Sequence, residues 1–165
     1  RQFYADGATS AKVYRTSNRY RVVVDDISTA TGLVVKYDDD EDGVYETTVP
    51  STDFLLLPLN GESFGIEGLG FTSIELFTDG SFQFPTTKTN NRAGVQITAN
   101  WGFAAVPEPI RQATNLLSSE NFAMRNTPLG IAGVGEFGVL AVRQNRQITR
   151  MIDPYRRGEL VHGIA

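Results

Sequence analysis

The hydrophobic pattern of this 165-residue chain changes once, at Pro107-Glu108-Pro109, and that change constrains the fold more than any other feature. Ahead of it, apolar and β-branched residues come in short runs bounded by Gly, Pro, Asn and Asp, as half-buried strands do. Beyond it, apolar residues recur three and four positions apart, the period of a helix lying on a core. Proline is tolerated in a first helical turn, and Glu108 there faces the positive end of the helix dipole. The chain is therefore expected to be α+β. An antiparallel β domain, a small sandwich or barrel, should span residues 1–106. A helical segment with a Gly-rich loop and a basic C-terminal tail should span residues 107–165.

Within the first part, Tyr20 to Val24, Leu33 to Tyr37, Val44 to Val49 and Asp53 to Leu57 read as separate strands, the last two stopped by Pro50 and Pro58. Phe71 to Thr78 alternates, Asp79-Gly80 signals a turn, and Ser81 to Phe84 reads as the return strand. Gly94 to Trp101 places Val95, Ile97 and Ala99 on one face, and Trp101-Gly102-Phe103 reads as core at the strand-to-helix junction. In the second part, Ile110, Ala113, Leu116, Leu117, Ala123 and Met124 form the stripe of a helix ending near Arg125-Asn126, before Pro128. A last helix is expected from Asn145 to Asp153, with Ile148, Met151 and Ile152 as its apolar stripe and Tyr155 one turn on, ended by Pro154.

Composition removes several chemistries. There is no cysteine, so disulfides, thiolate metal sites and cysteine nucleophiles are excluded. The single histidine, His162, lies near the C-terminus, so a multi-histidine metal site is excluded and a Ser-His-Asp triad would depend on a tail residue. No apolar run has the length of a bilayer-spanning helix, and no signal-peptide pattern opens the chain. The start at Arg1, without Met, leads us to expect that a segment precedes it. The charge is unevenly divided: residues 1–107 hold eight Lys/Arg against fourteen Asp/Glu, a net −6, and residues 108–165 hold seven against five, a net +2.

Asp38-Asp39-Asp40-Glu41-Asp42-Gly43 matches the first half of a calcium loop, with Asp38, Asp40, Asp42 and Glu46 as candidate ligands. The twelfth position is Val49, where an EF-hand needs a bidentate glutamate, and the flanks are strands. A solvated acidic hairpin tip, whose charge discourages edge pairing, is therefore the favoured reading. Gly133 to Gly138 spells G-x-G-x-x-G, but a helix precedes it and no parallel sheet is expected, so it reads as a loop carrying the aromatic Phe137. Arg143, Arg146, Arg150, Arg156 and Arg157 gather near the C-terminus with one acid, Asp153, and read as a solvated helix face or as a basic surface for an acidic partner or nucleic acid, a protein partner being favoured over nucleic acid by the pI of about 5.0. Phe122 falls opposite the apolar stripe of the first helix, beside Arg111, Asn115 and Ser118, where an aromatic suits a subunit contact. A hydrolase reading rests only on the number of carboxylates; no base, nucleophile elbow or metal cluster stands out.

From about Arg92 to Arg157 the sequence resembles the head–tail connector (adaptor) proteins of long-tailed bacteriophages. The resemblance rests on an ordered series: Ala93 to Phe103, Ala105-Val106-Pro107, Ile110 to Leu117, Arg125 to Gly130, Gly133 to Gly138, and Asp153-Pro154-Tyr155-Arg156-Arg157. Upstream, Val24 to Ile27 and the acidic hairpin Asp38 to Glu46 resemble the β-rich insertion of adaptors from actinobacterial phages. The resemblance implies a non-enzymatic virion protein of the neck, without cofactor. It implies a ring of twelve copies that joins the portal to the stopper, lines the channel for genomic DNA and contacts no membrane. It also implies N-terminal helices that are absent from this chain. The candidate subunit or portal contacts are then Asn115, Phe122 and Phe137 with Arg146, Arg150, Tyr155, Arg156 and Arg157, and the stretch from Arg150 through the tail is expected to dock on the portal. The alternative is a calcium-dependent β-sandwich binding module resting on the Asp38–Gly43 loop.

Overall fold

The computed structural model describes residues 1–40, 42–62, 66, 68–86, 94–125 and 146–156. The chain divides into two compact units, Arg1–Ala105 and Val106–Ala165. The class is α+β, an antiparallel sheet followed by helices.

In the first unit, six strands among the described residues form one sheet: β1 (Ser10–Tyr14), β2 (Arg21–Tyr37), β3 (Thr47–Val49), β4 (Phe54–Leu57), β5 (Phe71–Leu76) and β6 (Val95–Trp101). The order is β1-β6-β2-β5-β4, with β3 also paired to β2, and every pairing is antiparallel. β6 shows why the sheet forms here. Val95, Ile97, Ala99 and Trp101 are buried, while Gln96, Thr98 and Asn100 are half-exposed, which is the period of two that the sequence carries. Burial of each large side chain of this kind contributes roughly 1.5–3 kcal/mol.

β2 differs from expectation. The runs at Tyr20–Val24 and Leu33–Tyr37 are not separate strands but the two ends of one 17-residue strand. Its register shifts against β5 between Val23 and Ile27, and against β6 between Ile27 and Thr29 and again between Thr29 and Val34. Such bulges bend a strand and absorb residues that do not fit the ladder. The first takes in Asp25 and Asp26; the last contains Gly32, at φ 76°. Val22 from one half and Val35 from the other thereby enter one core, with Ile27, Ile74, Ile97 and Trp101.

Two other expectations are corrected. β3 begins only at Thr47, so Val44 to Glu46 belong to the preceding loop. Ser81–Phe84 forms no strand; Phe84 is nevertheless buried, and its N–H donates to the Arg19 carbonyl at 2.7 Å. β1, which has no clear sequence signal, is an edge strand held by β6.

The start of the chain is stitched to the end of β6. The Asp6 N–H donates to the Trp101 carbonyl at 2.9 Å, and the Phe103 N–H to the Gln2 carbonyl at 3.1 Å. Gly102, between them, sits at φ 99°, and a Cβ there would lie 1.8 Å from the Tyr4 carbonyl oxygen, so no side chain fits. Arg1 pairs with buried Asp26 at 2.6 Å and lies 5.0 Å over the Phe103 ring, which stacks in turn on Phe3 at 5.2 Å. Trp101-Gly102-Phe103 is core, as expected.

In the second unit, α1 (Glu108–Met124) and α2 (Arg146–Ile152) pack on each other, and a 3-10 turn follows at Asp153–Tyr155. Pro109 lies in the first turn of α1 and Glu108 faces its dipole. Among the described side chains of α1 only Ala113 is buried; Ile110 and Leu116 are half-covered and Leu117 is exposed. No helix among the described residues is long and apolar enough to cross a membrane.

Candidate functional site

The acidic segment is the loop of the β2–β3 hairpin, closed by the Tyr37–Thr47 pair. Asp38 directly follows the core strand and is fully buried, unlike its neighbours. Its N–H donates to the Gly94 carbonyl at 3.3 Å, and its Oδ2 accepts the Gly43 N–H at 2.8 Å. Gly43 stands at φ 94°, where a glycine reverses the chain at least cost. Asp40 accepts the Asp42 N–H at 3.2 Å, and Asp42 accepts the Val44 N–H at 2.7 Å. Aspartates that bond two residues on mimic backbone turns, so these carboxylates fold the loop themselves.

The four candidate ligands do not form one set. Carboxylate oxygens of Asp38, Asp40 and Asp42 lie within 4.8 Å of one another, while Glu46 groups with Asp39 and Asp40 instead. Asp39 was not singled out by the sequence, because the spacing of a calcium loop skips it. Each carboxylate keeps lone pairs after accepting one N–H, so the first trio has the donors a hard cation takes. The same hydrogen bonds also hold the loop unaided.

Crowding of charge shows in the titration of the loop. A hydrogen bond with Asp39 pushes the Glu46 carboxyl above its ordinary range, and the Asp39 charge adds to this, against backbone bonds that lower it. Burial, then the Asp39 charge, raises the Tyr37 hydroxyl.

The outer face of α1 carries Arg111, Asn115, Ser118 and Phe122, all exposed; Phe122 is 69% accessible, the most of any large hydrophobic side chain described. Arg111 pairs with Glu108 one turn back, and Gln112 donates to the same carboxylate at 3.0 Å. The Gln112 bond, then Arg111, holds Glu108 below the usual carboxylate range.

On α2, Arg146 and Arg150 are exposed one turn apart. Arg156 is exposed and pairs with Asp153 at 3.2 Å. Tyr155, an interface candidate by the resemblance and the position one turn beyond the apolar stripe of the last helix by spacing, is buried in the 3-10 turn after α2. Phe137, Arg143, Arg157, His162 and the Gly133–Gly138 motif lie outside the described residues. Sequence reasoning also missed the buried Arg1–Asp26 pair. Its one signal was two aspartates placed inside a valine-rich run, where a strand must bulge or bury charge.

Comparison with protein-family models, with curated proteins and with solved structures returns no match.

Proposed function

We propose that this chain is a structural subunit of a phage neck, a connector whose work is contact rather than catalysis. Copies assemble into a ring, twelve as the resemblance implies, between the portal and the stopper, around the path of genomic DNA. The observation that carries this reading is α1. An amphipathic helix of this length normally covers its apolar stripe, yet among its described side chains only Ala113 is buried. Leu117 and, on the opposite face, Phe122 remain open, so both sides of the helix offer surface to a neighbour. Ring closure needs such unlike faces on one subunit, because each copy must present one to the left and another to the right.

The stretch from Arg150 through the tail supplies the portal contact in this reading. Removing residues 154–165 abolishes capture by the portal in a pull-down; retained capture overturns that assignment. The ring itself is tested by imaging intact particles. Density for this chain in a symmetric ring at the portal vertex supports the reading, and its location elsewhere in the particle sinks it.

The calcium-module reading has less support. The loop aspartates already bond the loop's own N–H groups, and Glu46 groups with Asp39 and Asp40 rather than completing one set with Asp38 and Asp42. Calorimetry with calcium decides, since absence of heat at millimolar metal removes it.

A further inference from the structure

A cavity in the sheet unit has no part in the ring reading. It has a volume of about 330 Å³ and lies where the end of β2, the link from β1 to β2 and the segment after β5 come together. That volume falls in the range of pockets that hold small molecules. Arg19 and Asp39 both line it, both are exposed, and they form no ion pair with each other. Tyr37, Ser81 and Thr86 bring three hydroxyls to the lining, and Pro85 and the Tyr37 ring bring apolar wall.

The walls are held by the sheet unit itself. Phe84, 1% exposed, donates its N–H to the Arg19 carbonyl at 2.7 Å, and its ring meets Tyr37 edge-on at 6.5 Å. Gln83 orients the guanidinium: its Oε1 accepts from Arg19 Nη1 at 3.5 Å, while its Nε2 donates to the Tyr20 hydroxyl at 3.2 Å. A guanidinium carries about five N–H donors, so Arg19 keeps several after that bond. Asp39 meets Glu46 on one side, and a carboxylate has about four acceptor positions, so it too keeps capacity. Burial, then the Asp39 charge, raises the Tyr37 hydroxyl, which therefore stays a neutral group that both donates and accepts.

We infer that this cavity binds a small neutral polyhydroxylated ligand, a sugar unit, between Arg19 and Asp39. The two charges select for neutrality. An anion drawn to Arg19 meets the Asp39 carboxylate in the same space, and a cation drawn to Asp39 meets the guanidinium. A free amino acid matches both charges but leaves the hydroxyls of Tyr37, Ser81 and Thr86 unused. Neighbouring sugar hydroxyls accept from the planar Arg19 fork and donate to Asp39 at once, and they reach the protein hydroxyls as well. The C–H face of a sugar ring suits Pro85 and the apolar body of Tyr37, whose polar tip stays available. The inference concerns the sheet unit alone and does not depend on the ring.

Saturation-transfer difference NMR on the full chain tests it. The probes are the methyl glycosides of glucose, galactose, mannose and N-acetylglucosamine, with glycine as a zwitterion and acetate as an anion. Transfer to the ring protons of at least one glycoside, and not to glycine or acetate, is the expected result. Titration of that signal should show affinity weakened about tenfold or more in Arg19→Ala and in Asp39→Ala, the loss that follows from removing a hydrogen bond to a charged group. Both side chains are exposed, and near-ultraviolet circular dichroism checks that the variants fold. If either alanine variant unfolds, Arg19→Gln and Asp39→Asn carry the same expectation. Arg150→Ala, in the other unit, should leave the affinity unchanged. No transfer to any of the glycosides overturns the inference, as does transfer that survives both substitutions or that is as strong to glycine or acetate. An image that locates the chain away from the portal removes the ring reading and leaves this site standing.

Discussion

In the sheet unit thirteen hydrophobic side chains from the strands and from Phe84 form one buried cluster, whereas in the seventeen residues of α1 only Ala113 is buried among those described. The sheet is also tied at its ends, by the Arg1–Asp26 pair and the hydrogen bonds from Asp6 and Phe103. Among the described residues of the helical unit the ion pairs are exposed ones, Glu108–Arg111 and Asp153–Arg156. Among the described residues, then, the sheet unit carries a buried core of its own, while α1 presents mostly exposed or half-covered side chains. The difference teaches where mutations should act on folding and where they should act on assembly.

The largest expected effect is at the centre of the sheet. Trp101→Ala empties a fully buried site whose indole N–H donates to the Ser10 carbonyl at 2.9 Å, and it should lower the unfolding free energy by about 4 kcal/mol. A denaturant melt reads this directly; a loss below about 1 kcal/mol would break the view that the sheet is the stable half. Next comes Asp26→Ala, which removes the carboxylate that pairs with Arg1 and should cost roughly 3 kcal/mol. That loss should persist in high salt, because buried pairs are screened little. Phe122→Ser should leave the melt within about 0.5 kcal/mol of wild type, since the ring is mostly in solvent, while reducing oligomer size in light scattering. Unchanged size would remove the helix face from the interface.

The smallest effects are two opposed pH responses. In the loop, the folded state raises the Glu46 carboxyl, so it binds a proton more readily than the unfolded chain. The associated stability is present below the unfolded pKa and is lost as pH rises through the folded one. Glu46→Gln should therefore stabilise slightly at neutral pH. At the start of α1, the folded state lowers Glu108, so its contribution is present above the unfolded pKa and is lost as pH falls through the folded one. Glu108→Gln should weaken the helical unit slightly at neutral pH and change nothing in strong acid. Urea melts across the acid range check both signs, and two responses of the same sign would contradict the charge contrast between the units.

Much of the fold was legible along the chain. The alternation of β6 and the proline-flanked start of α1 appear in the structure close to where the pattern sets them, with α1 at Glu108–Met124 and α2 at Arg146–Ile152. The join of two strands into β2 was not legible. Asp25, Asp26 and Gly32 look like breaks in a local pattern, yet bulges carry the ladder past them. β1 escaped notice because an edge strand buries little, and its partner lies more than eighty residues away, at Val95–Ala99. The acidic loop was legible as a hairpin tip. Its division was not: Asp38 turns inward because it continues β2 towards Gly94, while Asp39 turns out towards Glu46.

The sequence by itself determined the change of period at Pro107, the acidic and basic halves, and the lack of thiol and clustered imidazole chemistry. These are properties of neighbours in the chain, or of composition, and need no partner to be read. Only the tertiary structure decided which aspartates are buried and that Gly102 admits no side chain. The physical reason is that burial and register depend on groups far away in sequence. Arg1 meets Asp26, Tyr4 closes over Gly102, and β1 finds β6 only after the sheet has assembled.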